Sequence, residues 1–286
     1  MKIKEVLQKG AEILREAGIE TPVTDSQLLL SHILDMPRWK LITERELEIP
    51  DEKVKKYFEL IQKRAEGYPV AYLTHKKEFF GLTFYVEEGV LIPRPETEIL
   101  VEEVLKRIPK NEEKIGLEIG VGSGAIIVSL LKNRPKLKMY GIDISEKALE
   151  ITEKNAKIHH VEDRLVLIKS NLFENVPEIR FDFIISNPPY VSEKEYEKLQ
   201  KEVKKEPKTA LVGGKEGFEV YDKIVEQGIK YLKENGFFAF EIGYNQGEYV
   251  SSLLKKYGFK TKVIKDLQNL DRVVIGEKEW KWKGML

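Results

Sequence analysis

Three glycines and a distant aspartate have the spacing of a ligand site. Gly120, Gly122 and Gly124 follow an alternating apolar stretch, and Asp143 lies nineteen residues beyond the last of them. Glycines let the backbone approach a ligand closely, and the free N–H groups of a helix opening at Ala125 would face it. An acid at this distance can accept hydrogen bonds from both hydroxyls of a ribose. Together these residues predict a nucleotide-binding site.

The glycine pattern does not identify the nucleotide by itself. Gly120, Gly122 and Ala125 also satisfy the relaxed dinucleotide pattern G-x-G-x-x-A. A glycine turn that merely lets a helix pack on a strand would leave the same signature. The agreement between the turn and Asp143 favours a ligand site, but other residues must decide which ligand it takes.

A second group with suitable chemistry is the tetrapeptide Asn187-Pro188-Pro189-Tyr190, which ends the apolar run 181–186. Ligands of open α/β sheets bind beyond the carboxyl ends of the strands, so the tetrapeptide is predicted at the same rim as the glycine turn. The prolines remove two backbone donors and leave carbonyl acceptors, and the asparagine adds another acceptor. The tyrosine offers a flat ring for stacking. We expect a pocket for a planar –NH2 group.

Such a pocket narrows the choice of reaction. The lone pair of a planar amide or aniline nitrogen is delocalised, which makes it a poor nucleophile. Hydrogen bonds from both of its hydrogens to fixed acceptors can aim that lone pair at an incoming carbon without a strong base. The electrophile must then be highly reactive, and a methyl group on a sulfonium fits. S-adenosylmethionine is therefore the predicted cofactor, because a nicotinamide nucleotide would leave the Asn-Pro-Pro-Tyr pocket unexplained.

The elements that must position these groups alternate between strands and helices from residue 115 onward. This alternation predicts an α/β fold with a Rossmann-like, mainly parallel seven-stranded sheet. The segment joining the last two strands, about 266–270, is too short for a parallel crossover, so the last strand should be antiparallel. The predicted strands are 115–119, 138–142, 165–169, 181–186, 236–242, 260–265 and 271–276. The predicted helices are 124–133, 146–158, 193–204, 216–233 and 246–257.

The first 75 residues predict a small helical domain. Apolar positions from Ile3 to Ala17 share one face of a first helix, and Thr24 is the predicted cap of a second. A third helix is expected around Trp39 to Glu44, and Pro50 opens a fourth. The predicted inward positions of that fourth helix are Val54, Phe58, Ile61 and Ala65.

Residues 76–95 predict a short hairpin and a stiff linker, Pro93-Arg94-Pro95. Residues 96–286 then form the predicted nucleotide-binding domain. The helical domain could act as a lid, a substrate-docking module or a dimerisation element. Its balanced charge, 12 basic and 13 acidic residues, and the stiff linker suggest docking of a protein. Trp280 and Trp282 are expected to pack on the edge of the second domain.

Composition excludes several classes of protein. The 286 residues include 48 basic and 48 acidic ones, so there is no global basic field to gather nucleic acid. No apolar run approaches the ~20 residues of a membrane span, and the N-terminus lacks a signal-peptide core. There is no cysteine, and the four histidines show no ligand spacing, so no metal site is expected. A cytoplasmic monomer without membrane or direct nucleic-acid contacts is predicted.

The chain resembles the release factor glutamine methyltransferases, the HemK/PrmC family, through most of its length. The glycine and Asn-Pro-Pro-Tyr motifs are shared with many methyltransferases, whereas the stretch from Val90 to Glu98 is much more specific. The residues that carry the resemblance are Pro69-Val70-Ala71-Tyr72, Phe79-Phe80-Gly81-Leu82, Val90-Leu91-Ile92-Pro93-Arg94-Pro95-Glu96-Thr97-Glu98, Glu118-Ile119-Gly120-Val121-Gly122-Ser123-Gly124, Gly141-Ile142-Asp143-Ile144-Ser145, Asn187-Pro188-Pro189-Tyr190, Ala210-Leu211-Val212-Gly213-Gly214 and Asp271-Arg272-Val273-Val274.

The resemblance implies a class I methyltransferase fold. It also implies transfer of a methyl group to the side-chain amide of the glutamine in the Gly-Gly-Gln motif of peptide-chain release factors. Asn187 and the Pro188 carbonyl would grip the target amide, and Tyr190 would pack on it. Asn171 departs from the Ser-Asp that the family usually has, which puts its adenine contact in doubt. The implied catalytic residues are Asn187, Pro188, Pro189 and Tyr190. The implied cofactor-binding residues are Glu118, Gly120, Val121, Gly122, Ser123, Gly124, Asp143, Asn171, Leu172 and Asn187.

Three other functions remain open from the residues. An exocyclic adenine amine of a nucleic acid would fit the same pocket after base flipping, although neither domain looks basic. A ribosomal-protein glutamine methyltransferase would share the chemistry. A cofactor-binding module without catalysis would have no use for an intact Asn-Pro-Pro-Tyr.

Overall fold

The computed structural model describes residues 1–278, and Trp280 and Trp282 lie outside them. The described chain forms two compact units. The first contains residues 1–76, 86–88 and 200–205, and the second contains 77–85, 89–199 and the chain from 206 onward. No helix within the described residues is both long and apolar enough to cross a membrane.

The first unit is built from five helices that surround one apolar core. They are α1 (Ile3–Glu16), α2 (Pro22–Leu34), α3 (Arg38–Thr43), α4 (Asp51–Ala65) and α5 (Val70–Thr74). The second helix begins two residues before the predicted cap Thr24, because Pro22 stands at its first turn and Thr21 is its N-cap. Proline is favoured there since its φ angle is already helical and its missing N–H would be unpaired anyway.

The buried face of α4 is more polar than predicted. Val54 and Ile61 are buried as expected, but Tyr57 and Arg64 take the places predicted for Phe58 and Ala65, which lie at the edge of the core. The Tyr57 hydroxyl lies 2.6 Å from the Ser26 hydroxyl, and Arg64 forms ion pairs with Asp25 and Glu202 at 2.7 and 2.8 Å. These hydrogen bonds satisfy the buried polar groups, which apolar periodicity alone does not reveal.

The second unit contains a short hairpin and the predicted α/β fold. The hairpin pairs β1 (Lys77–Phe79) with β2 (Leu82–Phe84). The seven strands of the large sheet are β3 (Lys114–Ile119), β4 (Leu137–Asp143), β5 (Leu165–Lys169), β6 (Phe181–Ser186), β9 (Leu232–Glu241), β10 (Phe259–Lys265) and β11 (Asp271–Lys278), and two short strands, β7 (Val191–Ser192) and β8 (Val212–Gly214), pair apart from it. The helices are α6 (Glu98–Arg107), α7 (Ala125–Asn133), α8 (Glu146–Ile158), α9 (Glu193–Tyr196), α10 (Lys208–Leu211), α11 (Glu219–Gly228) and α12 (Gly247–Lys256).

The strand order is β10-β11-β9-β6-β3-β4-β5, and β11 is antiparallel to both of its neighbours. The other pairs, β9-β6, β6-β3, β3-β4 and β4-β5, are parallel. This confirms the mainly parallel seven-stranded sheet with an antiparallel last strand. Alternate residues of each strand face opposite sides. In β6, Phe183 packs with α6 and α7, whereas Ile184 packs with α11 and α12.

Two predicted helices are shorter than their sequences suggested. The segment 193–204 forms only α9 and a single 3-10 turn, Val203–Lys205. Its lysines and glutamates favour helix but form no apolar stripe, so packing does not hold a long helix there. The predicted helix 216–233 begins at Glu219 and passes through a 3-10 turn, Ile229–Tyr231, into β9, which starts at Leu232 rather than at 236.

Candidate functional site

A cavity of about 540 Å³ opens in the second unit at the carboxyl ends of the central strands β3, β4 and β6. This volume is within the range typical of small-molecule sites. Glu118 lies near the end of β3 and Gly120–Ser123 follow that strand. Asp143 ends β4, Ser170–Leu172 follow β5, and Ser186 ends β6 and is followed by Asn187–Pro189. The two groups of residues singled out in the sequence therefore meet at one rim of the sheet, as predicted.

Backbone conformation explains the first two glycines of the loop. Gly120 and Gly122 have φ angles of +76° and +54°, and a Cβ added to either would meet no protein atom within 4 Å. Both line the cavity. The loop is held by the Gly120 N–H, which donates to the Ile142 carbonyl at 2.8 Å, and by the Gly122 N–H, which donates to Asp143 Oδ2 at 3.1 Å. A side chain here would be strained and would occupy the ligand space.

Gly124 serves a different purpose from the other two. It has a φ of +79° and does not line the cavity. An added Cβ would come within 2.9 Å of Thr152 Cγ2 on α8. Thr152 also donates its hydroxyl to the Gly122 carbonyl at 3.2 Å. Gly124 therefore allows close packing of α8 under the loop.

Asp143 is tied to the glycine loop by the backbone. Its Oδ1 accepts from the Ser145 N–H at 2.9 Å, and its Oδ2 accepts from Gly122. Burial raises the pKa of this carboxyl, although the N–H groups of Ser145, Gly122 and Ile144 oppose the rise. Each oxygen has a second lone pair, and the residue lines the cavity. Asp143 can therefore accept hydrogen bonds from ligand hydroxyls while it orders the loop.

Glu118 is a fully buried carboxyl near the Ile127 N–H, with which it completes no hydrogen bond. It is 1% exposed, lines the cavity, and neither Oε1 nor Oε2 completes a hydrogen bond with any described residue. Burial and the nearby charge of Asp143 raise its pKa well above the usual range, which the N–H of Ile127 offsets only in part. A buried carboxylate with no partner is costly. The arrangement suits a ligand that brings a hydrogen-bond donor or a positive charge to this end of the cavity.

The turn after β6 presents acceptors. Asn187, Pro188 and Pro189 line the cavity. The turn is anchored by the Ser186 hydroxyl, which donates to the Ile119 carbonyl of β3 at 2.7 Å. Asn187 Nδ2 donates a long hydrogen bond of 3.4 Å to Thr97 Oγ1. Its Oδ1 is thus the atom left to accept a hydrogen from a ligand.

Tyr190 lies outside the cavity lining. Its backbone carbonyl accepts from Gln246 Nε2 at 3.0 Å. Burial raises the pKa of Tyr190, so the phenol stays protonated at neutral pH. The packing of the Tyr190 ring on a target amide therefore stays a prediction.

The segment after β5 reaches the cavity, and its predicted position beside the adenine stays a prediction. Asn171 and Leu172 line the cavity, and Leu172 has a φ of +49°. Asn171 Nδ2 donates to Glu174 Oε1 at 2.9 Å, so its amide is engaged on the outer side of the turn. No described contact gives it a ligand-binding role.

Several lining residues were not predicted from the sequence as site residues. The clearest are Arg94, Thr97, Lys147 and Thr209. Arg94 donates to the buried Glu206, whose second oxygen accepts from the Ile92 N–H at 2.8 Å. This ion pair holds the start of α10 beside the cavity. Arg94 and Thr97 lie in the specific stretch 90–98, which was the signal that could have found them; Lys147 and Thr209 had none.

Family models match both parts of the chain. Residues 5–74 match the PrmC N-terminal domain, and residues 95–216 match the methyltransferase small domain. The release factor glutamine methyltransferase of Aquifex aeolicus is 45% identical over 97% of this chain and 96% of its own length. The enzyme of the same name from Clostridium acetobutylicum is 42% identical over 96% and 98%.

The chain belongs to the release factor glutamine methyltransferase family. A solved methyltransferase from Pyrococcus furiosus has the same fold, with a TM-score of 0.53 and 23% identity over 71% of this chain and 91% of that one. The mainly parallel sheet is thus that of a class I methyltransferase, and the protein is a methyltransferase.

Proposed function

We propose that this protein transfers the methyl group of S-adenosylmethionine to the side-chain amide nitrogen of the glutamine in the Gly-Gly-Gln motif of peptide-chain release factors. The observation that carries the proposal is the position of Asn187 and Pro188 on the wall of the cavity that the glycine loop and Asp143 also line. Membership of the release factor glutamine methyltransferases supports the choice of substrate. A cytoplasmic location is a prediction that goes with this substrate.

The residues of the cavity fit the proposed cofactor. The open space beyond Gly120 and Gly122 admits a ligand against the backbone. The unpartnered carboxyl of Glu118 suits the amino group of a methionine moiety, and the free lone pairs of Asp143 suit ribose hydroxyls. Asn171 and Leu172 would border the adenine. When bound, S-adenosylmethionine supplies an electrophilic methyl group.

The chain itself orients the nucleophile. Asn187 Oδ1 and the Pro188 carbonyl would each accept one hydrogen of the target –NH2, which directs the nitrogen lone pair out of the amide plane. Pro188 and Pro189 have no N–H groups that could compete for these acceptors. Positioning and fixed dipoles of this kind lower the barrier without a general base. The proton released from the methylated amide passes to solvent.

The test is methyl transfer from isotopically labelled cofactor to separate pools of release factor, ribosomal protein, DNA and RNA. We expect label on release factor alone, at the Gly-Gly-Gln glutamine, and no label on a factor in which that glutamine is replaced by alanine. Calorimetry should show binding of S-adenosylmethionine and none of NAD. Label in the ribosomal protein, DNA or RNA pool, with none in release factor, would refute the proposed substrate.

Asn187→Ala provides the test of the mechanism. The glycine loop and Asp143 are unchanged in this variant, so cofactor affinity should stay close to that of the wild type. Single-turnover methyl transfer should fall by ~10²–10³, the cost of removing one well-placed polar group. Asn245→Ala, an exposed asparagine outside the cavity, is the matched control and should transfer normally. An Asn187→Ala variant as fast as the wild type would show that the turn does not clamp the amide.

A further inference from the structure

The chain that leaves the Asn187 turn is bound by a buried glutamine, Gln246, at the start of α12. This residue is 5% exposed and does not line the cavity, and the mechanism proposed above makes no use of it. Its Nε2 donates to the Tyr190 carbonyl at 3.0 Å and to the Gly217 carbonyl at 3.1 Å. Its Oε1 accepts from the Gly243 N–H at 2.9 Å. One side chain therefore joins the end of Asn-Pro-Pro-Tyr to the loops before α11 and after β9.

The partners of Gln246 fix the orientation of its amide. A main-chain N–H can only donate and a main-chain carbonyl can only accept. The Gly243 N–H must therefore face Oε1, and the two hydrogens of Nε2 serve Tyr190 and Gly217. An amide turned by 180° would lose all three hydrogen bonds in a buried place, which is costly. Gln246 is thus held in one orientation by the backbone that it binds.

Close packing holds the same stretch of backbone. A Cβ added to Gly213 of β8 would lie 2.1 Å from the Pro189 oxygen, and one added to Gly217 would lie 2.5 Å from the Tyr190 oxygen. Real Cβ atoms do not come so close, so only glycine fits at either place. The two carbonyls that follow Pro188 are therefore packed directly against the backbone of the 213–217 segment.

The hold on Tyr190 reaches Pro188 because the turn is stiff. The ring of each proline fixes φ near about −65°, so Pro188 and Pro189 each keep a single free backbone angle, ψ. The far end of the turn is anchored to β3 by the Ser186 hydroxyl, and Gln246 anchors the near end. So short a segment, held at both ends, leaves little freedom to the Pro188 carbonyl.

We infer that Gln246 is a positioning residue: by holding the Tyr190 carbonyl, it keeps Asn187 and the Pro188 carbonyl at the spacing that grips both hydrogens of a planar –NH2 group. The inference rests on the proposed function for its consequence in catalysis. The hold on the turn is a property of the protein without any ligand.

Gln246→Glu removes the donors but keeps the shape. The carboxylate can accept from the Gly243 N–H but has no hydrogen for the carbonyls of Tyr190 and Gly217. Single-turnover methyl transfer should fall by ~10², the loss that a small misplacement can cause from outside the reacting centre. Cofactor affinity should stay close to that of the wild type, because Gln246 does not line the cavity. Gln268→Glu, at an exposed glutamine, is the matched control and should change neither.

A second pair of variants moves the Tyr190 carbonyl without touching Gln246. Gly217 and Gly258 have φ angles of +92° and +82°, so alanine meets similar backbone strain at either position. The added Cβ presses on the Tyr190 oxygen at Gly217, whereas at Gly258 it meets no atom within 4 Å. Gly217→Ala should therefore slow methyl transfer and Gly258→Ala should not. Equal rates in the two variants would contradict the inference.

A double variant separates positioning from a general loss of stability. If Gln246 acts through the turn, it has less to position once Asn187 no longer binds the target amide. Asn187→Ala combined with Gln246→Glu should then be much faster than the product of the two single losses predicts. Losses that simply multiply would show that Gln246 acts independently of the Asn187 clamp.

A readout without substrate distinguishes this inference from the proposed function. In ligand-free protein labelled with ¹⁵N at asparagine and glutamine, the side-chain ¹H–¹⁵N signals of Asn187 should shift in Gln246→Glu and in Gly217→Ala. They should stay in place in Gln268→Glu and Gly258→Ala. If the Asn187 signals do not move in the first two variants, the inference is wrong whatever the substrate. If they move as expected but release factor is not methylated, the hold on the turn stands and the substrate assignment fails.

Discussion

Glu118 and Asp143 are neighbouring carboxyls at the ends of adjacent parallel strands, but they differ in the backbone hydrogen bonds that they accept. Asp143 accepts hydrogen bonds from the Gly122 N–H of the glycine loop and from the Ser145 N–H of its own turn, whereas Glu118 completes no hydrogen bond among the described residues. The protein thus stabilises one carboxylate in advance and leaves the other to be stabilised by the ligand. A buried carboxyl whose pKa is strongly raised, at the wall of a cavity, is a frequent feature of functional sites.

A pH-dependent stability follows from Glu118. An unfolded glutamate ionises near ~4.3, whereas burial and the charge of Asp143 raise the pKa of Glu118 in the folded protein. Between these two pKa values the folded state binds more protons than the unfolded state, so the free energy of unfolding falls as pH rises. Glu118→Gln should remove this slope and be more stable than the wild type at pH 9 without cofactor, while it binds the cofactor more weakly.

Glu103→Gln is the matched control, with the opposite sign. Burial raises the pKa of Glu103, but Lys106 and Arg107 outweigh that effect and lower it. Its contribution to stability is present above the unfolded pKa, so removing the charge should destabilise the protein at neutral and alkaline pH. Chemical denaturation of the ligand-free proteins at pH 5, 7 and 9 measures both slopes. A Glu118→Gln variant less stable than the wild type at every pH would contradict the argument.

For single residues, the sequence predicted where the site residues lie better than it predicted what each of them does. The glycine spacing, Asp143 and Asn187 led to the rim of the sheet because motif chemistry is local. The packing role of Gly124 could not be predicted from the sequence, since Thr152, against which it packs, lies on another helix. Thr97 was also missed as a site residue, because its link to Asn187 joins positions ninety residues apart.

At the scale of elements, helix α8 supports the glycine loop through side chains that donate hydrogen bonds to the carbonyls of the loop. Its Asn155 is fully buried, and its Oδ1 accepts from the Tyr85 N–H at 2.7 Å. Its Nδ2 donates to the carbonyls of Tyr85 and Ser123 at 2.9 and 2.8 Å. One side chain therefore ties the chain after the β1-β2 hairpin to the loop that lines the cavity.

Asn155→Ala should break this connection. Three backbone groups would lose their partner in a buried place, at about 1–3 kcal/mol for each unsatisfied group with some compensation by water. We expect a loss of about 2–4 kcal/mol in the free energy of unfolding, and weaker cofactor binding because Ser123 belongs to the loop. Denaturant unfolding and calorimetry measure the two effects. Glu150→Ala, on the exposed face of the same helix, should change neither; similar losses in both variants would point to helix propensity instead.

Elements with strong apolar periodicity were predicted closely, because burial on a sheet or in a core decides their structure. β5 and β6 match their predicted bounds, and so does α8. The prediction of a helix over the polar segment 193–204 was wrong, because no face of this segment is buried as the apolar face of a helix would be. Asn155 could not be assigned from sequence, since its partner Tyr85 is seventy positions away.

At the scale of the whole molecule, both units expose some large apolar side chains. The helical unit has large apolar side chains in solvent at Trp39 and Ile42 of α3, 61% and 65% exposed. The cavity lies entirely in the other unit. If the helical unit docks the protein substrate, as its balanced charge and the linker suggested, these side chains are the ones to contact it. Exposed tryptophans are frequent hot spots of protein interfaces.

The double variant Trp39→Ser/Ile42→Ser tests that docking role. Both side chains are largely exposed, so the fold should lose little, while the contact with an intact release factor should lose apolar area. We expect KM for intact release factor to rise by roughly tenfold, or about 1.4 kcal/mol. The rate on a short peptide containing the Gly-Gly-Gln sequence should not change, because the peptide reaches only the cavity. Leu267→Ser, an exposed leucine of the other unit, should alter neither rate. Equal losses on the factor and the peptide, or no loss on either, would show that the helical unit docks the substrate elsewhere or not at all.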